Sequence, residues 1–385
     1  MRRLVRRPFL FTAVVLVLGA AGGAGAFVAT RHANATEAGS TGGSPHVAPL
    51  RLVSSTPASG AQDVPFGDPI TVSFDVPILD PSVPPALNPP VTGTWSLQGV
   101  NTLQFVPSVS LPPGASETIT ISGGSSGVTG TNGSRLVGDV SIPFSVAPMS
   151  TLRTQQLLAE LGYLPLTFTP DSSSSAGSAA PGDVASSAGS SGPGDEAGSF
   201  AWKWSTFPAA LTSLWNEGQP NAITTGAIMA FESQRGLSTD GDAGPHVWQA
   251  LLSAAAAHQN DSDPNYDWVD VSTSIPESVT VWRNGGSVYS TAANTGIEGA
   301  TTALGTWPVY VRYTSTTMSG TNPDGSHYDD PGVPWVSYFH GGDALHGFIR
   351  SSYGTPQSLG CVEMPPANAA VVYPFTPLGT LVTVQ

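Results

Sequence analysis

The sequence has almost no cysteine and almost no lysine. Cys361 is the only thiol in 385 residues, and Lys203 is the only lysine. A single cysteine excludes a disulfide bond within the chain. Charged residues are also scarce, at 10% of the total, and acidic side chains outnumber basic ones by 27 to 13. An acidic surface with so few cations repels phosphate groups, so we expect neither a nucleic acid partner nor an anionic lipid surface.

Only the N-terminus combines clustered arginines with a long uncharged run. Residues 1–7 read MRRLVRR, and no charged residue follows until Arg31. A basic segment before an apolar run is typical of an export signal, and Ala33-Asn34-Ala35 has the small-residue form of a cleavage site. Residues 1–35 are therefore predicted to be a signal peptide, or else a single N-terminal membrane anchor with its positive end inside. Both alternatives place the remaining chain outside the cytoplasm, at the cell wall or the periplasmic face.

Removal of residues 1–35 takes away five of the 13 basic side chains and no acid, which leaves 8 against 27 and a formal charge of −19. In an exported protein, one unpaired thiol implies either a bridge to another molecule or a reactive group. Cys361 is thus the first candidate for chemistry.

Residues 36–46 are a Gly/Ser-rich linker, and residues 47–148 contain short β-type segments broken by Pro and Gly. Apolar and polar residues alternate in Ile70-Thr71-Val72-Ser73-Phe74 and in Thr118-Ile119-Thr120-Ile121. This period of two predicts half-buried strands, and several of them at short spacing favour an antiparallel β-sandwich. The segment STPASGAQDVPFGDPITVSFDVPI (55–78) resembles the opening of bacterial Ig-like domains. With no cluster of titratable residues, this domain is predicted to be a stalk.

Residues 149–257 change to a helical period. Three helices are predicted: one around Leu152–Leu161 that ends at Gly162, one over Thr224–Arg235 and one over His246–Ala257. Residues 169–199 contain almost no large apolar side chain and are predicted to be a disordered insertion.

Without that insertion, LRTQQLLAELGYLP (152–165) and TTGAIMAFESQRGLSTDGDAGPHVWQAL (224–251) resemble a three-helix peptidoglycan-binding module. The resemblance implies a small all-α domain that binds cell-wall glycan and peptide. Residues 258–265 are predicted to be a second linker.

Residues 266–385 are predicted to form a mostly β domain. Asn284-Gly285 between SVTVWR and SVYST predicts a hairpin. The segment ALHGFIRSSYGTPQSLGCVEM (344–364) resembles the catalytic segment of L,D-transpeptidases of the YkuD type. Their pattern is a His-Gly pair followed, after a loop, by Ser-His-Gly-Cys. The fold implied for the whole chain is multidomain: an Ig-like β-sandwich stalk, a small helical module and a mostly β catalytic domain.

The resemblance implies that Cys361 is the nucleophile and His346 the base. A strand carrying His346 would return through the loop FIRSSYGTPQ to Cys361, where the imidazole would hold the thiolate as an ion pair. The N–H groups of Cys361 and Gly360 would stabilise the oxyanion. Ser358 would either orient the substrate or bond the loop to itself. Gly347 would give the imidazole room and let its Nδ1–H reach a backbone carbonyl.

Other side chains offer alternatives. His340 is a rival base that, in the preferred interpretation, only lines the cleft, and Arg350 is a candidate for binding a substrate carboxylate. The spacing of His340, Asp343 and His346 also allows a metal site, although the short motif without a helix pattern is weak evidence for one. No metal or organic cofactor is expected.

Two residues depart from the family pattern. Leu359 occupies the position of the usual second histidine, and Glu363 occupies the position of a usual arginine. Because the base is the upstream histidine, we expect activity that is retained but altered.

The implied function is the formation of 3-3 cross-links between peptidoglycan stem peptides through a Cys361 thioester. Carbapenem-type β-lactams are expected to acylate the same thiol. If water replaces the acceptor amine, the enzyme is an L,D-carboxypeptidase. The alternative from another class is a non-catalytic wall-binding protein with a degenerate C-terminal domain.

Overall fold

The computed structural model describes residues 47–66, 68–79, 83–108, 110–171 and 194–385. The predicted signal or anchor (1–35) and the first linker (36–46) lie outside the described residues. Val47–Gln385 form one compact unit. No helix within the described ranges has the length and apolar character needed to cross a bilayer.

The N-terminal part of this unit consists of two four-stranded sheets. Their strands are β1 Leu52–Thr56, β2 Ala61–Val64, β3 Ile70–Phe74, β4 Ala86–Asn88, β5 Gly93–Gln98, β6 Thr102–Pro107, β7 Ser116–Ile121 and β8 Val140–Val146. The strand orders are β1-β3-β6-β5 and β2-β8-β7-β4. Ile70, Val72 and Phe74 of β3 share one buried cluster with Ile119 and Ile121 of β7. The predicted alternation is confirmed for β3 and β7, because it places every second residue of these two strands in a common core.

A helical segment follows. Its elements are α1 Thr151–Glu160, β9 Leu166–Pro170, β10 Gly198–Trp202, α2 Ala209–Thr212, α3 Ala222–Arg235 and α4 Pro245–Ala256. Ser150 caps α1 by accepting a hydrogen bond from the Arg153 amide at 2.9 Å, and Asn221 caps α3. Gly244 and Pro245 begin α4, as the helix-start chemistry predicts. The three predicted helices are therefore present, but the short helix α2 and the hairpin of β9 and β10 accompany them, so the segment is not the all-α three-helix module that was predicted.

The insertion is shorter than predicted. Its predicted ends, 169–170 and 198–199, belong to the hairpin of β9 and β10, in which Phe168 is paired with Phe200. The two rings lie 5.0 Å apart and pack on the helical core. Apolar contacts just outside the polar segment thus extend the strand pairing into the ends of that segment. Residues 172–193 lie outside the described residues.

The C-terminal part contains two sheets and one short helix. Its elements are β11 Asp267–Ser272, β12 Ser278–Arg283, β13 Gly286–Ala292, β14 Gly305–Pro308, β15 Val311–Thr321, β16 His327–His340, β17 Asp343–Gly347, β18 Val362–Met364, α5 Pro366–Val372 and β19 Leu381–Val384. The strand orders are β13-β12-β11-β19-β14 and β15-β16-β17-β18. The predicted hairpin at Asn284-Gly285 is confirmed, with φ values of 53° and 78°.

The helical segment and the C-terminal part share hydrophobic core. Trp268 of β11 and Leu381 of β19 belong to the same buried cluster as Leu157 of α1 and Phe231 of α3. A Cβ at Gly226 of α3 would lie 2.4 Å from the carbonyl oxygen of Gly379, so only glycine permits this approach. The helices therefore serve as a support for the five-stranded sheet.

Candidate active site

The second sheet brings the two candidate catalytic residues together. β17 and β18 are parallel, with Leu345 opposite Val362 and His346 opposite Glu363. The chain between them leaves the end of β17 and returns to the start of β18, immediately after Cys361. The predicted return of the His346 strand through a loop to the cysteine is therefore what the structure has.

His346 and Cys361 line one cleft of about 920 Å³. One wall is the long hairpin of β15 and β16, including Met318, Tyr328 and Tyr338. Cys361 is half-buried as a residue and lines the cleft, and its thiol donates a weak hydrogen bond to the carbonyl oxygen of Gly342, with the sulfur 3.7 Å away. The nucleophile candidate is thus accessible from the cleft.

The imidazole of His346 is buried and oriented by the backbone. Only 3% of the residue is exposed, and Nδ1 lies 3.1 Å from the carbonyl oxygen of Gly347. A carbonyl oxygen can only accept, so Nδ1 carries the proton and Nε2 has its lone pair available. Burial lowers the pKa of the imidazole, against the opposing effects of this hydrogen bond and of Glu363. The ring is therefore a neutral base near pH 7.

Burial raises the pKa of the Cys361 thiol to about 12, and the carboxylates of Asp343 and Glu363 act in the same direction. The Ala344 amide, which bonds to the sulfur, partly offsets them. A thiol with a raised pKa beside an imidazole with a lowered one leaves both groups neutral at rest. These shifts oppose the thiolate–imidazolium ion pair expected from the sequence. The physical reason is desolvation, which penalises both charged forms.

The turn before the nucleophile is held by its own hydrogen bonds. The Ser358 hydroxyl donates to the carbonyl oxygen of Cys361 at 2.5 Å and accepts from the Gly360 amide at 3.3 Å. Of the two roles proposed for Ser358, the structure shows the one internal to the loop. Because the Gly360 amide is engaged, its predicted contribution to the oxyanion site is not available in this structure. The amide of Cys361 takes no part in these bonds and is left as the donor candidate.

Gly360 is required by its surroundings. Its φ is +113°, and an added Cβ would lie 2.5 Å from Oδ1 of Asp343. Both the backbone conformation and the contact exclude a side chain. The atom that excludes a side chain here belongs to Asp343 of the neighbouring strand β17.

Two segments of the chain match the models of known domain families. Residues 266–384 match the family model of the L,D-transpeptidase catalytic domain, YkuD, and residues 46–146 match that of the bacterial Ig-like domain. The chain carries an L,D-transpeptidase catalytic domain. No curated protein matches the chain. The peptidoglycan-binding interpretation of residues 149–257 stays a prediction.

Several solved structures are similar. L,D-transpeptidase from Mycobacterium smegmatis is 13% identical over 88% of this chain and 100% of its own, with a TM-score of 0.29. L,D-transpeptidase 3 from Mycobacterium tuberculosis, with a faropenem-derived adduct, is 14% identical over 87% and 97%, also at 0.29. The catalytic domain from E. faecium L,D-transpeptidase, acylated by ertapenem, is 23% identical over 31% and 97%, with the same TM-score of 0.29.

His340 is not placed as predicted. It is an exposed residue at the end of β16, its ring lies 4.3 Å from that of Trp307, and it is not among the residues that line the cleft of the transpeptidase domain. Its ring is tilted against the tryptophan and its Nδ1 lies 3.9 Å from Oδ2 of Asp343, so the structure does not place it at the cleft as a rival base. The described residues also contain no group of three or more His, Cys, Asp or Glu side chains that could hold a metal ion.

The expected contact of the imidazole Nδ1–H with a backbone carbonyl is present, whereas Arg350 has a partner other than the expected substrate carboxylate. Gly347 accepts from the imidazole through its own oxygen, and a Cβ there would lie 2.9 Å from Cα of Pro366 in α5. Arg350 lines the cleft, but its guanidinium forms two hydrogen bonds with Glu363. The carboxylate of Glu363, which replaces the family's usual arginine, is therefore paired with a cation. Leu359, which replaces the usual second histidine, contributes an apolar side chain to the cleft.

Sequence reasoning missed the acidic side chains of the hairpin wall. Asp324 lies at the turn between β15 and β16, and Asp330 lies further along β16, and both line the cleft. The segment Pro323-Asp324-Gly325 is a turn signal that predicts the hairpin. It does not predict that the hairpin faces Cys361, because that depends on how β16 pairs with β17.

Proposed function

We propose that this protein is a peptidoglycan L,D-transpeptidase in which Cys361 is the nucleophile and His346 the general base. The observation that carries the proposal is a buried neutral imidazole, fixed by the Gly347 carbonyl, in the same cleft as the chain's only thiol. A base with its Nε2 lone pair free is suited to accept the thiol proton as the bond to carbon forms.

In the first half-reaction, the sulfur of Cys361 attacks the carbonyl carbon of the third stem residue while its proton passes to Nε2 of His346. The carbonyl oxygen becomes an oxyanion, for which the Cys361 amide is the donor candidate. The tetrahedral species collapses as the bond to the terminal D-alanine breaks, and the imidazolium returns its proton to the leaving amine. A thioester and free D-alanine result.

In the second half-reaction, the side-chain amine of another stem attacks the thioester carbon. The imidazole takes the amine's proton and then delivers a proton to the departing sulfur, which restores the thiol. The product is a 3-3 cross-link. Water in place of the amine gives a tripeptide and makes the enzyme an L,D-carboxypeptidase.

The remaining segments would bring this chemistry to its substrate. We propose that residues 1–35 direct the chain out of the cytoplasm or anchor it there, and that residues 149–257 bind peptidoglycan. Attachment to the wall raises the effective concentration of stem peptides at the cleft. Carbapenem-type β-lactams are proposed inhibitors, because their strained carbonyl can acylate the same thiol.

The test is incubation of the purified protein with disaccharide-tetrapeptide, followed by mass spectrometry of the products, with Cys361→Ala as the control. Cross-linked dimer and released D-alanine in the wild type alone are expected. Tripeptide without dimer would instead indicate the carboxypeptidase. No turnover and no carbapenem adduct on Cys361, with retained binding to isolated sacculi, would overturn the proposal in favour of a non-catalytic wall-binding protein.

A further inference from the structure

The cleft contains a buried ion pair that the proposed chemistry does not use. Nε of Arg350 donates to Oε2 of Glu363 at 2.7 Å, and Nη2 donates to Oε1 at 2.8 Å. The Glu363 side chain is 6% exposed and that of Arg350 is 32% exposed. Two parallel bonds between a guanidinium and a carboxylate fix their relative orientation as well as cancelling their charges.

The pair lies beside both catalytic groups. Glu363 is opposite His346 in the parallel pairing and follows Cys361 by two residues. Arg350 also donates from Nη2 to the carbonyl oxygen of Gln357 at 3.2 Å and lies over the Phe348 ring at 4.7 Å. The guanidinium therefore connects the start and the end of the loop that joins the base to the nucleophile.

Other charged groups near His346 are few. The elements around it contribute one further carboxylate on β16, one on β17, two phenols on β16 and the thiol itself, namely Asp330, Asp343, Tyr328, Tyr338 and Cys361. Helix α5, which packs against β17, has no titratable side chain. Of the described residues whose charge shifts the pKa of His346, Arg350 is the one cation, and Glu363 and Asp330 are the anions.

We propose that Arg350 and Glu363 act together as a positioning unit that holds the loop between His346 and Cys361. At the imidazole, the charge of each member cancels the electrostatic effect of the other. This rests on the proposed role of His346 as the base. Glu363 stands where the family pattern has an arginine, and Arg350 supplies a positive charge beside it. Neither residue touches the reacting atoms in this role.

The unit predicts opposite effects for its two halves. Arg350→Gln leaves the Glu363 carboxylate without its cation, which stabilises the imidazolium and raises the pKa of His346. Glu363→Gln leaves the guanidinium alone, which lowers that pKa. We expect shifts of roughly 0.5 to 1 pH unit in each direction, because one partner remains partly exposed to solvent.

The experiment measures the His346 titration by NMR in histidine-labelled protein, with the signal assigned through His346→Gln. The same variants are then acylated with a carbapenem over a range of pH, and adduct formation is followed by mass. Because only the neutral imidazole accepts a proton, the midpoint of the acid limb is expected to rise in Arg350→Gln and to fall in Glu363→Gln.

A matched control exists in the same domain. Arg283 and Asp267 form an equally close bidentate pair whose side chains are also 32% and 6% exposed, and neither residue lines the cleft. Arg283→Gln and Asp267→Asn are expected to lower the melting temperature without moving the His346 titration. This control distinguishes the general effect of losing an ion pair from the specific effect of losing the Arg350–Glu363 pair.

The exchanged double variant, Arg350→Glu with Glu363→Arg, is expected to return both the titration and the acylation rate close to wild type. Shifts of the same sign in the two single variants, or no shift beyond that of the control pair, would overturn the inference. If wild-type protein forms no adduct at any pH, the proposed function fails, and the NMR titrations still decide whether the pair cancels charge at His346.

Discussion

The resting state of Cys361 can be tested directly, because it is the only thiol in the chain. With a pKa of about 12 for the folded thiol and about 8.5 for a free one, the thiolate fraction at pH 7 falls by roughly 3,000-fold. A more basic thiolate is also a better nucleophile, and over this pKa difference its intrinsic rate constant rises roughly 40-fold. Alkylation by iodoacetamide should therefore be roughly 80-fold slower in the folded protein than in the unfolded chain.

The assay follows carbamidomethyl incorporation by intact mass at a series of pH values, with the same protein in urea as the reference. In the folded protein the alkylation rate should rise about tenfold for each pH unit up to pH 9. At pH values far below the pKa, the thiolate fraction itself rises about tenfold per unit. Cys361→Ala serves as the control for labelling elsewhere. A carbapenem that acylates Cys361 as proposed should react despite the slow alkylation.

An ion pair would behave differently. A thiolate stabilised by imidazolium gives a rate plateau across acidic and neutral pH, at or above the rate of the unfolded reference. Either a plateau between pH 5 and 8, or folded-state alkylation as fast as in urea, would refute a neutral resting pair and restore the expectation made from the sequence.

Three further outcomes are expected. His346→Ala should abolish adduct formation with a carbapenem, whereas His340→Ala should leave its rate within about twofold, and comparable losses would contradict the assignment of the base. Gly360→Ala should lower the free energy of unfolding by about 1–3 kcal/mol in a denaturant titration, and an unchanged value would show that the turn tolerates a Cβ. Burial raises the pKa of Glu232 to about 7. The protonated side chain therefore contributes stability that is fully present below the pKa of the unfolded state and is lost as the pH rises through 7. Glu232→Gln should therefore stabilise the protein at pH 8 but not at pH 4, and an equal gain at both would exclude this cause.

The sequence predicted the elements of the site better than its electrostatics. The Gly-Cys turn and the upstream His-Gly pair are local patterns, and together with the family resemblance they predicted that His346 and Cys361 share one cleft. The pKa values of the two groups depend on burial, which the wall formed by β15 and β16 helps to create. No local pattern shows that Tyr328 and Tyr338 face the sulfur.

The same distinction explains the other differences. Alternation predicts that Trp268 lies on one face of a strand, but it does not predict that this face packs on helices from another segment. The position of His340 depends on a ring contact with Trp307 from a different sheet. The hydrogen bond of the Gly360 amide with Ser358 depends on the conformation of a turn whose residue types allow several.

The structure also bears on whether Leu359 and Glu363 indicate a decayed enzyme. In a site without selection for activity, a charge reversal beside the nucleophile would leave a buried carboxylate unpaired, at a cost of several kcal/mol. Here that carboxylate has a bidentate partner in Arg350, whose guanidinium also bonds to the loop that ends at Cys361. The turn at Ser358 and the alignment of His346 are both intact. A change that is compensated in charge and geometry, next to the proposed base and nucleophile, favours the proposed enzyme over a decayed one.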